Sequence, residues 1–407
     1  MANIIIIGGG AAGLFAAGTA LKSGHTVTVL EHGDAVGRKI LITGKGRCNV
    51  TNNCDEETFL KNVRTNPRFL YSGIYAWPPE KTMQLFEQFG VPLKTERGRR
   101  VFPVSDRAQD IVAALQRYAD GAAVLFAQAK GLLIEENQVR GVKLAGGRSI
   151  AADAVIVATG GVSYSVTGST GDGYRFAKAA GHTIVTPTPS LVSLVERGNT
   201  AKRMMGLSLK NVKLTLLQNG KPKFSEQGEM LFTHFGISGP LVLSASAHIG
   251  DMNKYKYSVE IDLKPALDEQ TLYKRIAADF DILSNKDAAN CLVKLLPKKM
   301  EPVMLEMWGV EPTRKVNQIT RLERQQLVKL MKAFPLEIKE RGDLAHAVIT
   351  SGGVSVKEIN PKTMESKLVS GLYFAGEVLD VDAYTGGYNL QIAFATAYAA
   401  ATHIDEE

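Results

Sequence analysis

The sequence predicts an α/β fold built around a parallel sheet, with a β-rich segment and a helical segment inserted into it. Three apolar runs predict the sheet, at residues 4–7, 154–158 and 371–375, and each leads into a turn that contains glycine. Uninterrupted apolar runs are typical of strands that a parallel sheet buries on both faces. A helix-like run to about residue 23 follows the first turn. The order strand, tight turn, helix is that of an α/β unit.

The first glycine turn consists of Gly8, Gly9, Gly10, Ala11, Ala12 and Gly13. In this spacing the first glycine allows the bend, the second lets the backbone approach a pyrophosphate, and the third lets the helix lie close to the strand. A second strand, at 26–30, ends in Glu31. An acidic residue about 20 residues after such a turn binds the ribose hydroxyls. The opening of the chain therefore predicts a dinucleotide site.

A loop rich in Gly, Asn and basic residues follows, over 32–53. Its composition suits a backbone that wraps closely around a ligand and offers many hydrogen-bond donors. Arg38 and Lys39 are placed to neutralise a phosphate or cover the adenosine end, although any exposed basic pair would look the same. A second basic turn, at 96–103, contains Arg99 and Phe102. It is either a solvated hairpin or the holder of an anionic group beside the cofactor.

The middle of the chain changes character. Short strands alternate with turns over 191–263, helices are predicted from about 271 to 333, and a strand at 347–349 precedes a turn at 350–354. We therefore divide the chain into a first part of the nucleotide-binding domain (1–190), an inserted β-rich domain (191–268), an inserted helical domain (269–340) and a return segment (341–407). In the return segment Gly386 and Gly387 open an apolar helix. Its first amides would stabilise an electron-rich ring edge.

Composition restricts the class of protein. The formal charge is +7 and the pI about 9.1, which suits anionic ligands, but no solid run of Lys or Arg occurs, so charge alone does not predict nucleic acid as a partner. Cys48, Cys54 and Cys291 form no disulfide framework or metal spacing, and we expect no metal site. No stretch approaches the roughly 18 apolar residues of a membrane span. We expect a soluble cytoplasmic protein.

Taken together, these motifs resemble the BaiN/YhiN-type flavoproteins, also called the aminoacetone oxidase family. The resemblance rests on the glycine turn, 37–39, the Arg-Cys-Asn loop within 43–52, 158–161, 376–377, 387–391 and the segment 232–240, and it covers essentially the whole chain. It implies a glutathione-reductase-like Rossmann domain, formed by both chain ends, that holds FAD non-covalently. Since no second glycine fingerprint is present, NADH or NADPH, as a transient donor, would have to reach the flavin directly.

The resemblance also assigns contacts by position. The implied FAD contacts are Gly8, Gly10, Ala11, Ala12, Gly13, Glu31, His32, Arg38, Lys39, Gly46, Arg47, Cys48, Asn49, Ala129, Thr159, Gly160, Gly161, Gly376, Glu377, Gly387, Asn389, Leu390 and Gln391. Ala129 would meet the adenine, and residues 389–391 the pyrimidine edge of the ring. Candidate substrate contacts are Arg99, Phe102, His234 and Tyr384, which lie in turns expected near the ring. His234 is alternatively a structural residue that forms hydrogen bonds. Cys48 has no partner cysteine nearby in the sequence, so it is alternatively a small buried thiol.

Three functions are compatible with these features. The first is an FAD-dependent oxidoreductase that reduces a conjugated or ketone-bearing small molecule, such as a bile-acid-like substrate, by hydride transfer through the flavin. The second is an oxidase of small amines or amino ketones that uses oxygen as acceptor. The third, which we do not expect, is a flavin-bearing protein that binds nucleic acid through its basic helical insert. The substrate, the catalytic acid or base and the oligomeric state stay open.

Overall fold

The computed structural model describes residues 1–404, so residues 405–407 of the predicted return segment lie outside the described residues. Contacts divide the chain into two compact units, Met1–Ser190 with Leu344–Glu407 (unit 1) and Leu191–Asp343 (unit 2). Unit 1 thus combines both ends of the chain. Unit 2 contains both of the segments that the sequence divides at residue 268.

Strands and helices are numbered in chain order. The strands are β1 (Asn3–Ile7), β2 (Thr26–Glu31), β3 (Thr51–Asn52), β4 (Val63–Thr65), β5 (Leu93–Glu96), β6 (Arg100–Pro103), β7 (Ala123–Phe126), β8 (Ala129–Glu135), β9 (Gln138–Leu144), β10 (Ser149–Ala151), β11 (Ala154–Val157), β12 (Ile184–Ser190), β13 (Leu194–Glu196), β14 (Ser208–Gln218), β15 (Lys221–Phe232), β16 (Gly236–Ser238), β17 (Tyr257–Asp262), β18 (Phe334–Arg341), β19 (Ile349–Val354), β20 (Leu372–Phe374) and β21 (Asp382–Ala383). The α-helices are α1 (Ala11–Lys22), α2 (Arg38–Ile42), α3 (Glu56–Lys61), α4 (Tyr71–Ala76), α5 (Pro79–Gln88), α6 (Ala108–Tyr118), α7 (Asp172–Ala179), α8 (Thr200–Arg203), α9 (Pro240–Ser246), α10 (Glu269–Ile282), α11 (Glu301–Trp308), α12 (Arg321–Lys332) and α13 (Tyr388–Thr402).

The main sheet of unit 1 has five parallel strands in the order β20-β11-β1-β2-β7. Ile4 on β1 is in register with Ala154 on β11 and with Val27 on β2. All four residues of β11 are buried, as are the last four of β1. The predicted α/β fold with a parallel sheet is confirmed. Because the strands are parallel, the turns after β1, β11 and β20 meet at one edge of the sheet.

Helices α1 and α13 pack against each other within unit 1. The ring centroid of Phe15 on α1 lies 5.1 Å from that of Phe394 on α13 and 5.1 Å from that of Trp77. Gly18 allows α1 to approach α6, since a Cβ there would lie 2.4 Å from the Tyr118 ring. This packing positions the N-termini of α1 and α13.

The first strand of the return segment is displaced from its predicted position, since it is predicted at 347–349 and observed at Ile349–Val354. β19 pairs antiparallel with β12, and it includes residues 350–354, where a turn is predicted. The glycine pair in it serves close packing, because a Cβ on Gly352 would lie 2.6 Å from the Thr186 carbonyl oxygen and one on Gly353 2.5 Å from that of Val378. Glycine therefore marks backbone contact inside a strand here.

Unit 2 contains a closed barrel of six strands in the order β13-β16-β15-β14-β17-β18. All its pairings are antiparallel, and β18 closes it by pairing with both β17 and β13. β18 follows the helices and lies within 269–340, where only helices are predicted. Alternate residues of β18, Phe334, Leu336 and Ile338, are buried. This period of two is the pattern of a strand with one buried face.

Helices α10, α11 and α12 of unit 2 share one apolar core with the barrel strands. α10 begins after Asp268, whose carboxylate accepts a hydrogen bond of 2.6 Å from the Thr271 amide. α12 begins with a capping box, in which Thr320 and Glu323 each accept from the other's amide. These side chains satisfy amides at the helix starts that have no partner inside the helix.

Two negative findings apply to residues 1–404. Among their helices, none combines the length and hydropathy that crossing a bilayer requires. Among their His, Cys, Asp and Glu side chains, no group of three or more is arranged to hold a metal ion.

Candidate functional site: the carboxyl edge of the parallel sheet

Three turns converge at the carboxyl edge of the parallel sheet in unit 1. Gly8, Gly160 and Gly376 all have positive φ, at 108°, 71° and 78°. A Cβ on Gly8 would lie 2.5 Å from the Ala158 carbonyl oxygen, and one on Gly376 would lie 3.0 Å from the Ala12 Cβ. The first glycine turn therefore contacts both of the others, and a side chain at Gly8 would clash with the backbone of the second.

The start of α1 offers unpaired donors. A Cβ on Gly13 would lie 1.8 Å from the Gly8 carbonyl oxygen, whereas one on Gly10 would meet nothing within 4 Å. The helix starts close against its strand, with open space beside Gly10. Within residues 1–404 the amides of Ala11 and Ala12 form no hydrogen bond, and no acidic residue lies in the first turn. Free amides at the positive end of a helix dipole suit a phosphate group.

Glu31 holds the turn in place from the end of β2. Its Oε2 accepts a hydrogen bond of 2.9 Å from the Gly9 amide, and its Oε1 accepts one of 2.7 Å from the Gly33 amide. The His32 Nδ1 lies 3.7 Å from Oε1. A carboxylate has about four acceptor positions, so Glu31 keeps capacity to accept from ribose hydroxyls as well.

A charged pair joins two motifs that are far apart in the sequence. The Lys39 ammonium lies 2.7 Å from Glu377 Oε2 and donates to Ser163 Oγ, also at 2.7 Å. Ser163 Oγ and the Thr350 amide each donate to Glu377 Oε1, at 2.8 Å. Burial alone would raise the pKa of Glu377, but Lys39 and these hydrogen bonds outweigh it and hold the pKa below its ordinary value. Glu377 is thus kept ionised beside the convergent turns.

Arg38 is directed differently from its neighbour. Its guanidinium lies 3.2 Å from Asp34 Oδ1 and donates to the Val166 carbonyl oxygen at 3.0 Å. Gly161 lies against Thr350, whose Oγ1 would be 2.4 Å from an added Cβ. Thr350 Oγ1 in turn accepts from the Val162 amide at 2.9 Å. These contacts fix the 159–163 turn, which is predicted to follow the pyrophosphate.

The loop that carries Arg47, Cys48 and Asn49 has an unusual backbone. Lys45 and Cys48 adopt left-handed conformations at φ of 60° and 57°, beside Gly46 at 81°. Cys48 is fully buried, and burial raises the pKa of its thiol to about 12. A group with this pKa is almost entirely a thiol at neutral pH. The structure therefore favours the small buried thiol over a redox cysteine.

Asn49 supplies a test of whether a ligand fits here. Its Oδ1 is buried and has no hydrogen-bond partner within residues 1–404. Leaving a buried amide oxygen without a donor costs about 1–3 kcal/mol. A ligand that brings an N–H or O–H group to this atom would remove that cost, as the polar edge of a flavin could.

Arg47 is engaged by neighbouring side chains. It forms ion pairs with Glu96 and with Asp106, whose Oδ1 accepts from Nε at 2.8 Å. Its guanidinium lies 4.2 Å from the centroid of the Phe102 ring. Phe102 itself is buried. The structure thus places Phe102 beneath Arg47.

The start of α13 is a second set of free donors. Gly387 has φ of 96°, and a Cβ there would lie 2.3 Å from the backbone of Thr51. The helix start therefore lies directly against β3, which follows the Arg-Cys-Asn loop. Within residues 1–404 the amides of Asn389 and Leu390 form no hydrogen bond, and the first turn contains no acidic residue. A ring edge that gains negative charge would be stabilised there.

The side chains at this helix start have structural contacts. Asn389 Oδ1 accepts from the Ala383 amide at 3.0 Å, and its Nδ2 donates to the Ala383 carbonyl oxygen at 2.9 Å. Gln391 Oε1 accepts from Thr51 Oγ1, and its Nε2 donates to the Trp77 carbonyl oxygen, both at 2.8 Å. The side chains hold the loop, which leaves backbone amides for a ligand.

Sequence reasoning missed Asn52 as a site residue. Its Nδ2 donates to the carbonyl oxygens of Gly98 and Gly386, each at 3.0 Å. It therefore joins the turn that carries Arg99 to the loop that follows Tyr384. The sequence signal for Asn52 is its position within the Gly- and Asn-rich motif. Its two hydrogen-bond partners, however, lie 46 and 334 residues away along the chain.

The remaining predicted residues are dispersed. Ala129 is buried at the first residue of β8, and Thr159 lies in the turn after β11. His234 is exposed in unit 2, between β15 and β16, with its ring 4.9 Å from that of Phe235. His234 belongs to a different unit from Arg99 and Tyr384.

Comparison with known proteins identifies the family. The model of the family described as "HI0933-like protein Rossmann domain" matches residues 2–403. The chain belongs to this family. It is 35% identical over 411 residues to a ribosomal RNA dihydrouridine synthase from Haemophilus influenzae, covering 99% of this chain and 98% of that protein. It is 31% identical over 414 residues to a 3-dehydro-bile acid delta(4,6)-reductase from Clostridium scindens, covering 98% of each.

The family assignment confirms the BaiN/YhiN-type resemblance and makes the chain an FAD-dependent oxidoreductase. A solved structure agrees on the fold. The 3-ketosteroid delta1-dehydrogenase from Sterolibacterium denitrificans superposes with a TM-score of 0.53, at 13% identity and over 99% of each chain. At this identity the likeness concerns the fold alone. The free amides of α1 and α13, the open space at Gly10 and the unpartnered Asn49 oxygen are what a bound FAD would require.

Proposed function

We propose that this oxidoreductase reduces a carbon–carbon double bond conjugated to a carbonyl group, and that its substrate is a uracil base within RNA. The observation that carries the reaction class is the pair of open helix starts in unit 1, at α1 and α13, since the α13 amides of Asn389 and Leu390 would stabilise the negative charge of a reduced flavin. The names of the two relatives support it, because a dihydrouridine and a reduced 4,6-diene both arise by adding two hydrogens to a double bond conjugated to a carbonyl.

The chain's own residues have defined roles in this proposal. The amides of Ala11 and Ala12 bind the pyrophosphate, and Glu31 accepts from the ribose hydroxyls. Lys39 keeps Glu377 charged beside the turn that holds the cofactor chain. Bound FAD, once reduced, supplies the hydride. The hydride goes to the carbon β to the carbonyl and a proton to the α carbon, while a nicotinamide donor, NADH or NADPH, provides the two electrons.

RNA replaces the small molecule of our sequence interpretation because of sequence identity. The more similar of the two relatives described above is the RNA-modifying one. The bile-acid-like enone stays as a second candidate because its relative also spans nearly the whole chain. Arg99 and Tyr384, joined by Asn52, are our candidates for substrate contact in either case.

The test is an anaerobic assay of FAD-loaded protein. NADH or NADPH should bleach the flavin absorbance, and ribosomal RNA transcribed in vitro should restore it and gain the mass of two hydrogen atoms at a uridine. Restoration by a 3-oxo-4,6-diene steroid and not by RNA would move the proposal to the second candidate. Formation of peroxide from aminoacetone in air, with neither enone reduced, would establish an oxidase and overturn the proposal.

A further inference from the structure

The positive charge of the chain is concentrated in unit 2. This unit has 24 Lys and Arg against 18 Asp and Glu, whereas unit 1 has 24 against 23. Six of the seven net positive charges therefore belong to the unit that lacks the glycine turns. Net charge of this kind governs association with polyanions rather than the fold.

Four lysines cluster at one end of the barrel. β14 and β15 form a long hairpin that turns at Asn219 and Gly220. The Asn219 amide donates to the Lys256 carbonyl oxygen at 2.8 Å, and the Lys256 amide donates to Asn219 Oδ1 at 2.9 Å, so the residues before β17 are tied to this turn. We call the exposed group Lys221, Lys223, Lys254 and Lys256 the hairpin tip.

The lysines of the hairpin tip have few acidic neighbours in the sequence, of which Glu226 and Asp251 are the nearest. No Asp or Glu occurs in residues 214–225 or 252–259. Across residues 1–404, none of the four ammonium groups lies within ion-pair distance of a carboxylate. Lys221 and Lys223 are two residues apart on one strand, about 7 Å. Like charges at this spacing repel one another. Because none of the four has an ion-pair partner in the described part of the chain, all four attract a polyanion that approaches the tip.

A structural explanation accounts for only two of these four lysines. Exposed lysines on β-strands commonly prevent the free edge of a sheet from pairing with another chain. This barrel is closed, and β14 pairs on both sides with β15 and β17. Lys221 and Lys223, however, lie on β15, which pairs with β16 only at Leu231 and Phe232, so its edge is open beside these two lysines. Edge protection does not account for Lys254 and Lys256, which lie outside the strands. The partly exposed Tyr255, whose ring centroid lies 5.4 Å from Lys254 Nζ, adds a surface on which a base can stack.

We infer that the hairpin tip of unit 2 binds the phosphate backbone of the RNA substrate. The inference rests on the proposed function, because it concerns the RNA that is proposed there as the substrate. It identifies a surface that binds this RNA away from the base that reacts. Contacts of lysine with phosphate supply affinity without sequence specificity, and each releases counterions. An RNA extends well beyond the nucleotide that reacts, so a surface outside unit 1 can contribute to its binding.

The experiment compares two variants of the full FAD-loaded protein with the same change in charge. One carries Lys221→Gln, Lys223→Gln, Lys254→Gln and Lys256→Gln. The matched control replaces four exposed lysines of unit 1, Lys61, Lys130, Lys143 and Lys178, by Gln. The probe is a fluorescent single-stranded RNA, and its dissociation constant is measured over a series of salt concentrations.

The tip variant should lose affinity on the order of 100-fold at low salt, and its log–log salt slope should fall by about 3, at roughly 0.7 per lost contact. The control variant should keep the wild-type slope. Equal slopes in the two variants would overturn the inference, since they would show a nonspecific effect of charge. Tip-dependent binding to phosphatidylserine vesicles that exceeds binding to RNA would also overturn it, in favour of a membrane surface.

Activity separates this inference from the proposed function. If the function holds, the tip variant should have a raised KM for RNA and an unchanged kcat, while the bleaching of its flavin by the nicotinamide donor is unaffected. Wild-type RNA reduction with unchanged KM in the tip variant would refute the inference alone. Tip-dependent RNA binding by a protein that reduces no uridine would refute the proposed function alone.

Discussion

The two units offer opposite kinds of surface to a ligand. In unit 1 Lys39 and Glu377 form an ion pair beside the convergent turns, and backbone amides without hydrogen bonds lie at the starts of α1 and α13. In unit 2 the strands close into a barrel, and within residues 1–404 the lysines of the hairpin tip form no ion pair. Unit 1 also holds 30 of the 39 glycines in 254 of 407 residues. Backbone donors fit one rigid ligand, whereas mobile lysines suit a long polyanion.

The largest effect should come from Gly13→Ala. Its Cβ would lie 1.8 Å from the Gly8 carbonyl oxygen, a backbone atom that cannot move without displacing α1 from β1. We expect a loss of about 3 kcal/mol in the free energy of unfolding and a protein that does not retain FAD. Urea unfolding and flavin absorbance per mole of protein measure the two effects.

Gly10→Ala is the matched control. Gly10 has φ of −84°, which alanine adopts readily, and its Cβ would meet nothing within 4 Å. Without FAD the stability should change by less than about 1 kcal/mol, but the methyl group should weaken FAD binding by occupying the space beside the pyrophosphate. Equal loss of stability in both variants would contradict the distinction between packing and ligand approach.

Glu377→Gln should have the next largest effect. It should lower the free energy of unfolding by about 2 kcal/mol, because it leaves the partly buried Lys39 without its counter-charge. The pKa of Glu377 is lowered in the folded state, so its stabilisation is complete above its unfolded value near 4.5 and is lost as pH falls through the folded value. Unfolding followed from neutral pH into acid should therefore show a shallower decline for the variant. Parallel curves would show that the pair contributes nothing.

Glu323→Gln is the corresponding change in unit 2. Arg314 donates to Glu323 Oε1 at 2.6 Å and lowers the pKa of this capping residue to about 2. We expect the free energy of unfolding to fall by about 1 kcal/mol. This difference from the wild type should be present above pH 4.5 and should disappear as the pH falls towards 2. The FAD content should stay that of the wild type. A variant that folds but loses FAD would break the assignment of cofactor binding to unit 1.

The smallest effect should come from Cys48→Ala. Since the pKa of Cys48 is about 12, its thiolate is scarce at neutral pH, and flavin reduction by a nicotinamide donor should change by less than about threefold. Iodoacetamide should label the half-buried Cys54 before Cys48, although burial raises the Cys54 pKa to about 11. A large drop in the rate of flavin reduction would show that the buried thiol takes part in electron transfer.

Sequence patterns predicted features whose cause is local. The glycine spacing at 8–13 and the apolar strand 154–158 specify backbone geometry within a few residues, so the nucleotide-binding fold followed from them. The strand β18 was missed, although Phe334, Leu336 and Ile338 alternate with polar residues, because a helical segment precedes it. The strand β19 was predicted at 347–349 instead of 349–354, because its glycine pair has the composition of a turn.

The sequence by itself determined the glycine turns and the helix starts that follow them at both ends of the chain, because a sharp turn and a free helix start need only neighbouring residues. Only the tertiary structure decided that Lys39 pairs with Glu377, 338 residues away, and that Asn52 joins the Gly98 and Gly386 turns. It alone closed the barrel and assembled the hairpin tip. Such contacts depend on how distant strands pack, and no spacing along the chain encodes them.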